Sequence, residues 1–277
     1  METNNNHLTF LRYPGSKKRL MSFLAEHLPS SEKIHGRYIE PFVGGGAVFF
    51  HLKPHQAILS DINRELIDLY RGIRRKPEKV WKIYKKMPCN KTGYNEIRSL
   101  RHKDLDLIRR AARSLFLNRT CFKGMWRHNA NGEFNIGYGG QTRRWAISNE
   151  DLVNVSRILR RAIIRCADFE TIIEVAQPGD YLFLDPPYRP GEKEQIHAHY
   201  VGRKFTFDDH KRLAHCINKA NKRKVLWSLT VSSHPDIIKL YRKFRIVNIP
   251  RGTGRKIGIL TYNPGEVLIS NHNGGLK

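Results

Sequence analysis

The chain has few features that would cross-link it or hold it in a membrane. Its four cysteines, Cys89, Cys121, Cys166 and Cys216, stand far apart and form no C-x-x-C pair. This spacing argues against a disulfide framework and favours reduced cytosolic thiols. No apolar stretch approaches the roughly 20 residues that span a bilayer, and the polar start, residues 2–7, lacks the pattern of a secretory signal. We therefore expect a cytoplasmic protein with no membrane partner.

A metal-binding pattern is also missing from the sequence. Of the 13 histidines, His197 and His199 come nearest to a ligand pair. No acidic residue or thiol stands near them at the spacing of a metal site. We therefore expect no bound metal.

Acidic residues are scarce compared with basic ones. The chain has 25 Asp and Glu against 50 Lys and Arg, a net charge of +25, and such an excess favours a polyanionic partner, most simply nucleic acid. The excess is greatest between Tyr70 and Arg161, where 23 basic residues accompany seven acidic ones. Solvated helix faces explain part of any charge run, but not its confinement to one segment. That segment is therefore the candidate electrostatic footprint of the partner.

Short apolar runs alternate with segments of helical periodicity. Six runs have the composition of strands: Arg37–Phe42, Ala57–Asp61, Asp180–Asp185, Lys224–Leu229, Phe244–Ile249 and Gly265–Ser270. Between the third and the fourth of these runs, Leu213, Ile217 and Ala220 recur at helical spacing. Strands that alternate with helices predict an α/β fold, a largely parallel sheet with helices on both faces.

Residues 69–161 interrupt this alternation. They have helical periodicity up to about Asn118, and then a Gly- and Asn-rich stretch, Gly124–Gly140, that predicts a hairpin or an extended loop. We therefore divide the chain into an α/β domain, residues 1–68 and 162–277, and an inserted helical domain, residues 69–161.

A proline-rich turn follows the third predicted strand. Asp185, Pro186, Pro187 and Tyr188 come directly after the apolar run 181–184, at the end of the strand where open α/β sheets bind ligands. Asp185 and the Pro186 carbonyl can accept both hydrogens of a planar amine, and the Tyr188 ring can stack on the ring that carries it. The prolines leave the turn little freedom. A site that binds the exocyclic amine of a nucleobase explains these residues better than a purely structural Pro-rich turn does.

A glycine-rich turn lies between the first strand and a helix. Gly44, Gly45 and Gly46 follow the strand that ends near Glu40; glycines let a ligand approach the backbone, and the helix start offers free amides. About 20 residues on, the next strand ends in Asp61, where Rossmann-like sites hold a ribose hydroxyl. No phosphate-binding G-x-x-x-x-G-K-[ST] is present, so adenosine without phosphates fits better. The alternative is a tight turn and a helix-capping Asp61.

A third element precedes both of these motifs. Pro14 and Gly15 predict a turn, and Ser16 is placed to cap a helix over Lys17–His27. Tyr13 is suited to pack on a ligand ring and Lys17 to meet a carboxylate, although a simple capped turn is an equally good interpretation.

The order of the motifs resembles that of the Dam family, which are D12-class DNA adenine-N6 methyltransferases. The motifs are, in order, R-Y-P-G-S-K, E-P-F-V-G-G-G, S-D-I-N, a basic insertion and D-P-P-Y. The resemblance covers nearly the whole chain. Inside the insertion, segments 117–119, 124–127 and 131–135, followed by Tyr138-Gly139, resemble the family's target-recognition hairpin. It implies a Rossmann-like methyltransferase sheet, S-adenosyl-L-methionine as the cofactor and double-stranded DNA as the partner.

The resemblance also assigns residues to the cofactor and to the reaction. The implied cofactor-binding residues are Tyr13, Lys17, Glu40, Phe42, Gly44, Gly46, Asp61, Asp168, Phe169 and Asp185. Among them, Lys17 would pair with the methionine carboxylate, Asp61 with the ribose and Asp168 with the adenine amine. The implied catalytic residues are Asp185, Pro186, Pro187 and Tyr188.

A further set is implied to bind DNA: Arg12, Asn118, Arg119, Phe122, Lys123, Met125, Arg127, Asn135, Gly137 and Tyr200. Arg127 matches the family's base-reading arginine, and its planar fork suits a guanine edge in the major groove. Phe122 and Lys123 stand where the family inserts side chains into the base stack. Tyr200 and Phe205 match aromatic residues that flank the extruded base.

The chain departs from the family pattern in three places. Gly137 replaces a usual proline, Phe122-Lys123 replace a common Tyr-Asn pair, and Trp227–Thr230 lack the usual Ser-Asn. The catalytic and cofactor motifs are intact, so catalysis is expected to survive. GATC is the target that the resemblance implies, although Lys123 points toward looser specificity through phosphate contacts.

We expect a monomer associated with the nucleoid.

Three other interpretations stay open at this point. The tetrapeptide recognises an amine, so RNA adenine or cytosine N4 is an alternative substrate. A DNA-binding regulator with a decayed site is a second alternative. A Rossmann-type oxidoreductase is the third, disfavoured by the motif order and the missing phosphate-binding spacing.

Overall fold

A seven-stranded sheet forms the centre of the protein. The computed structural model describes residues 10–13, 15–129, 132–140, 147–188, 205–250 and 265–273. The strands are β1 (Tyr38–Glu40), β2 (Ala57–Asp61), β3 (Ala162–Cys166), β4 (Tyr181–Leu184), β5 (Leu226–Ser232), β6 (Arg245–Ile249) and β7 (Glu266–Ser270). Their order is β3-β2-β1-β4-β5-β7-β6. All six predicted strands are present, and β3 was not predicted.

The sheet is parallel except at β7. Strands β1 to β5 pair in parallel, and β7 runs antiparallel to both β5 and β6. The chain adds β2 and β3 on one side of β1, and β4 and β5 on the other. The switch point therefore lies between β1 and β4, where open α/β sheets bind ligands at the carboxyl ends of their strands. The turns after Glu40 and Leu184 meet there.

Both faces of the sheet are covered. In β4, alternate residues enter different cores: Tyr181 and Phe183 pack in one, Leu182 and Leu184 in the other. All four are buried, as expected of a strand with helices on both sides. The predicted Rossmann-like architecture is confirmed.

Ten α-helices surround the sheet in the described ranges. They are α1 (Met21–His27), α2 (Ala47–Leu52), α3 (Arg64–Arg75), α4 (Pro77–Lys86), α5 (Lys91–Ser99), α6 (Leu107–Thr120), α7 (Asn149–Leu159), α8 (Phe169–Glu174), α9 (Phe207–Lys222) and α10 (Pro235–Tyr241). None of them combines the length and the apolar composition needed to cross a bilayer. The predicted helix over Lys17–His27 is instead a 3₁₀ turn, Lys17–Leu20, followed by α1, and the Ser16 side chain makes no capping bond.

The inserted helices α4, α6 and α7 pack on α3, and α3 also contacts strands β2 and β3 of the sheet. Gly72 of α3 permits this approach, because a β-carbon there would collide with that of Ala111 on α6. The expected domain boundary at residue 69 falls inside α3, whereas the second boundary coincides with the start of β3 at Ala162. One helix thus connects the sheet to the insertion without a break.

Candidate active site

Lys17 lies at the centre of the site at the switch point. Its Nζ is 2.9 Å from Asp185 Oδ1, donates to the Tyr188 hydroxyl at 2.8 Å and donates to the Gly15 carbonyl at 3.3 Å. Only 5% of Lys17 is exposed. The ammonium group is therefore held by Asp185 and Tyr188, two of the four residues predicted from the sequence to be catalytic.

The Asp185 carboxylate is fixed from two sides. Thr230 of β5, which is buried, donates its hydroxyl to Asp185 Oδ1 at 2.7 Å. The strand register explains this contact, since Leu184 pairs with Leu229, one residue before Thr230. Among the described residues, both Lys17 and Thr230 engage Oδ1, so Oδ2 is available for another donor. Pro186 is buried and Pro187 is half-buried beside it.

The Tyr188 ring is held at its hydroxyl. Burial, the nearby charges of Asp185 and Glu266 and a hydrogen bond to Glu266 raise the pKa of Tyr188 well above its usual range. The phenol therefore stays neutral. Lys17 Nζ also lies 4.8 Å from the ring centroid. Neither Thr230 nor Glu266 was predicted to be a site residue: the segment 227–230 departs from the family's usual Ser-Asn, and Glu266 belongs to no local motif.

The glycine turn, residues 44–46, closes tightly beside these groups. Gly44 and Gly46 have φ values of 45° and 64°, a region in which other residues are strained. A β-carbon at Gly44 would lie 3.0 Å from the Tyr13 ring. The buried Tyr70 donates to the Gly44 carbonyl at 2.8 Å. Tyr13 thus packs on the turn, and its ring lies 6.2 Å from that of Trp126 in the insertion; its contact with a ligand ring stays a prediction.

Asp61 lies under the glycine turn. Its Oδ2 accepts from the Gly44 amide at 3.1 Å and its Oδ1 from the Asn63 amide at 2.9 Å. The cap of α3 is Asn63, whose side chain accepts from the Leu66 amide, so Asp61 is not the helix cap. Burial outweighs these bonds and raises the pKa of Asp61 to about 6. Each carboxylate oxygen keeps a second lone pair for an incoming hydroxyl.

The Glu40 side chain is almost completely buried. It is 3% exposed, and it accepts from the Tyr38 hydroxyl at 2.8 Å. Burial, reinforced by the negative charges of Asp185 and Asp61, raises the pKa of Glu40 well above its ordinary value. The Glu40 carboxyl is therefore biased toward its neutral form. Its role as a cofactor ligand stays a prediction.

Three rings, Phe42, Phe169 and Phe205, form an aromatic cluster. The Phe42 and Phe169 centroids are 5.4 Å apart, and that of Phe205 is 5.9 Å from each. The sequence placed Phe205 beside the extruded base, whereas it packs here on the two rings assigned to the cofactor.

Asp168 stands next to the aromatic cluster and is oriented by Arg212. It caps α8 by accepting from the Glu170 amide at 3.0 Å. Arg212 of α9 donates to both Asp168 oxygens, at 2.7 and 3.0 Å, and its guanidinium lies 4.1 Å from the Phe169 centroid. Arg212 escaped sequence analysis because it lies 44 residues from Asp168 on a helix with no motif.

Two residues predicted to bind DNA are buried. Asn118 is 0% exposed and Arg119 is 4% exposed. Asn118 accepts from the Arg12 amide at 3.0 Å and donates to the Arg12 carbonyl at 2.6 Å, and Arg119 donates to the Phe10 carbonyl. We therefore correct the sequence interpretation: their contacts hold the segment 10–12 on α6 rather than reaching the surface.

Phe122, Lys123 and Gly124 form a projecting turn beside Arg12. Phe122 is 49% exposed, and the Lys123 ammonium lies 5.1 Å from its ring centroid. Lys123 has φ 55° and Gly124 φ 66°. A β-carbon at Gly124 would lie 2.5 Å from that of Arg12. An exposed ring with a lysine beside it suits insertion into stacked bases, which stays a prediction.

The predicted hairpin is held by isolated antiparallel bridges, Cys121 with Tyr138 and His128 with Phe134. Arg127 Nε donates to Asn135 Oδ1 at 3.1 Å, which fixes the guanidinium plane. Met125 and Asn135 are half-buried, and Gly137 is exposed with its carbonyl accepting from the Phe122 amide. Tyr200, His197 and His199 lie outside the described residues.

A buried ionic group ties this hairpin to the sheet domain. Glu65 of α3 accepts from Arg113 of α6 at 3.2 Å, and His128 Nε2 lies 3.3 Å from the second Glu65 oxygen. Burial alone would raise the pKa of Glu65, but the hydrogen bond from His128 and the charge of Arg113 outweigh it and lower the pKa. The Glu65 carboxylate therefore links His128 of the hairpin and Arg113 of α6 to α3.

Comparison with known proteins identifies the family. The D12 class N6 adenine-specific DNA methyltransferase family matches residues 13–252. The chain is 33% identical to the Type II methyltransferase M.MjaIII of Methanocaldococcus jannaschii, over 95% of this chain and 98% of that protein. It is 30% identical to the Type II methyltransferase M1.LlaDCHI of Lactococcus lactis subsp. cremoris, over 95% of each. It is 27% identical to the DNA adenine methylase of Escherichia coli, over 93% and 96%.

The matched range begins at Tyr13 and runs past β6, so it includes the glycine turn, the inserted helices and the residues around Asp185. The protein is therefore an adenine-specific DNA methyltransferase, and an oxidoreductase does not agree with this match. The chain belongs to the D12 class of N6 adenine-specific DNA methyltransferases.

Proposed function

We propose that this enzyme takes its methyl group from S-adenosyl-L-methionine and transfers it to N6 of an adenine rotated out of duplex DNA. One observation carries the proposal: Lys17 joins Asp185 and Tyr188 beside the glycine turn at the switch point. This arrangement offers matching groups for a nucleobase amine and for a methyl donor that carries a carboxylate.

The residues present fit S-adenosylmethionine. The left-handed glycine turn keeps side chains away from its backbone, so a ligand can lie against it. Lys17 offers an ammonium group for the methionine carboxylate, and Asp61 offers a carboxylate for the ribose hydroxyls. Asp168 offers an acceptor for the adenine amine, and the aromatic cluster offers apolar walls for the adenine ring.

In the proposed mechanism the protein supplies alignment. When bound, S-adenosylmethionine supplies an electrophilic methyl group. Asp185 and the Pro186 carbonyl accept the two N6 hydrogens of the adenine, and the nitrogen lone pair is thereby directed toward that methyl group. The new N6–methyl bond would replace the donor's bond to sulfur, and the proton that N6 then loses would be the one held by the Asp185 carboxylate. Thr230 and Lys17 keep the Asp185 carboxylate from turning, and the Tyr188 ring stacks on the base. Holding reactants in a reactive orientation removes about 7–11 kcal/mol from a barrier.

The insertion is proposed to bind and inspect the duplex. Its basic residues contact phosphates, Phe122 and Lys123 enter the base stack, and Arg127 reads a guanine edge while Asn135 fixes its plane. Extruding the adenine costs a few kcal/mol. GATC is the target that we propose, on the resemblance of the hairpin to that of the Dam family. Lys123 is expected to add phosphate contacts that are blind to sequence.

A single experiment tests donor, base and target together. The enzyme is incubated with S-adenosylmethionine and a random duplex DNA library, which is then sequenced for N6-methyladenine. We expect methylated adenines within GATC. Methylation confined to cytosine, or spread over contexts unrelated to GATC, would contradict the proposed base or the proposed target.

Two further arms sharpen this experiment. Single-stranded DNA and RNA of the same sequences test the open alternative substrates, and we expect the duplex to be methylated fastest. Asp185→Ala is the matched control, because it removes the carboxylate while leaving the DNA-binding insertion intact. The variant should bind duplex DNA and transfer no methyl groups. Near-wild-type turnover by Asp185→Ala would refute the role of this carboxylate.

A further inference from the structure

The one antiparallel strand in the described sheet brings an additional acid to the active site. Strand β7 begins at Glu266, which pairs with Ser232 at the carboxyl end of β5. Because β7 runs against its neighbours, its first residue lies at the edge where the parallel strands end. Glu266 therefore reaches the same edge of the sheet as Asp185.

Glu266 contacts the two groups that hold the catalytic turn. Its Oε2 lies 3.9 Å from Lys17 Nζ, an ion-pair distance that is too long for a hydrogen bond. Together with burial and the charge of Asp185, its carboxylate raises the pKa of Tyr188, so it lies near the tyrosine hydroxyl. Lys17 in turn donates to the Tyr188 hydroxyl at 2.8 Å. The tyrosine hydroxyl is thus placed between an ammonium and a carboxylate.

Donor and acceptor counting gives Glu266 a definite task. A lysine ammonium can only donate, so the Tyr188 oxygen accepts from Lys17 and its own proton needs another acceptor. Thr230 donates its own hydroxyl proton to Asp185 at 2.7 Å, and its oxygen is a neutral acceptor. A charged carboxylate accepts more strongly than a hydroxyl oxygen, and in the proposed mechanism Asp185 is engaged by the adenine amine, so the Glu266 carboxylate is the acceptor for this proton. Two bonds at the hydroxyl then restrain the ring.

We infer that Glu266 is a positioning residue, which orients the Tyr188 ring for stacking on the target adenine by accepting the proton of the Tyr188 hydroxyl. This inference rests on the proposed function, in which that ring is the surface for the extruded base. Glu266 also places a second negative charge near Lys17, which limits how strongly the ammonium attracts the carboxylate of the methyl donor.

The test compares Glu266→Ala with Glu266→Gln in the full-length enzyme. We expect Glu266→Ala to lower kcat about tenfold, since small displacements of a positioned group cost up to about 100-fold, with KM for duplex DNA unchanged. Glu266→Gln should retain most of kcat, because its amide oxygen still accepts from Tyr188. Glu174→Ala, at an exposed site at the end of α8, is the matched control and should behave as the wild type.

Two readouts do not depend on turnover. Calorimetric titration with S-adenosylhomocysteine should show unchanged or tighter binding to Glu266→Ala, because a negative charge near Lys17 has been removed. In a duplex with 2-aminopurine at the target position, stacking on Tyr188 quenches the extruded base, so Glu266→Ala should give brighter fluorescence. A variant that is merely misfolded would instead show weaker titration and a lower Tm.

Tyr188→Phe removes the same bond from the other partner. It should match Glu266→Ala in kcat and in fluorescence, and the double variant should lose no more than either single one. It also carries the test if Glu266→Ala does not fold. Independent losses that multiply, or variants at Glu266 with wild-type kcat and fluorescence, would overturn the inference. If the wild type itself transfers no methyl group, the proposed function fails instead.

Discussion

Thr230→Val removes one hydroxyl from the active site while keeping the branched shape of the side chain. The hydroxyl is 0% exposed and donates to Asp185 Oδ1 at 2.7 Å. A hydrogen bond to a charged group contributes about 1.5–3 kcal/mol. The Asp185 side chain is 21% exposed and keeps its contact with Lys17, so the lower end of this range applies. At 1.36 kcal/mol for each factor of ten, kcat should fall about tenfold.

The assay is steady-state methyl transfer to duplex DNA, with S-adenosylhomocysteine titration and thermal unfolding as companions. The S-adenosylhomocysteine titration should be nearly unchanged, since Val fills the same space, whereas Tm should fall by a few degrees because a buried hydrogen bond is lost. Thr230→Ser restores the donor and should recover most of the turnover. If Thr230→Val turns over at the wild-type rate, the Thr230 bond does not orient the carboxylate and our reading of the site is wrong.

Three further predictions concern the surroundings of the site. Affinity for S-adenosylhomocysteine should fall as the pH drops below about 6, because the pKa of Asp61 is about 6 and its ionised form is the better acceptor; Asp61→Asn should bind weakly without that pH dependence in calorimetric titrations. Glu65→Ala leaves a buried guanidinium unpaired, at about 3–5 kcal/mol, so Tm should fall by about 10 °C. The pKa of Glu65 is lowered in the folded protein, so the Glu65 carboxylate stabilises the fold fully above its ordinary pKa. This stabilisation is lost on acidification through the lowered value. A Tm difference between wild type and variant that grows at acid pH would contradict this. Asn118→Ala frees the backbone at Arg12 and should reduce the ratio of methylation at the target to that at single-base variants; an unchanged ratio would show that this segment takes no part in recognition.

The fold was predictable where burial is two-sided. Strands such as β4 are apolar along their whole length because helices cover both faces, and this leaves a clear trace in the sequence. The edge strand β3 leaves a weaker trace in the sequence. Ile163 is 51% exposed and Arg165 is exposed as well, so two of its five residues are not buried and the run is not continuously apolar. Its alternation of buried Ala162 and Ile164 was the available signal.

The candidate site was predictable where it consists of local motifs. Asp185, Asp61 and the glycine turn all follow strands, and the topology alone brings such segments together. Thr230, Glu266 and Arg212 were missed because each lies inside a regular element and acts on a residue far away in the chain. Asn118 shows the converse error, since a polar residue in a motif assigned to DNA was found to bind backbone instead.

Arg12 and Tyr13 are neighbours on one short segment that α6 holds by its backbone. Tyr13 packs on the glycine turn, and Asn118 fixes Arg12 beside Gly124. Chimaeras that exchange only residues 121–139 between relatives would therefore break a matched set. Transplants that also carry residues 10–13 and Asn118 should yield active hybrids with the donor's sequence preference.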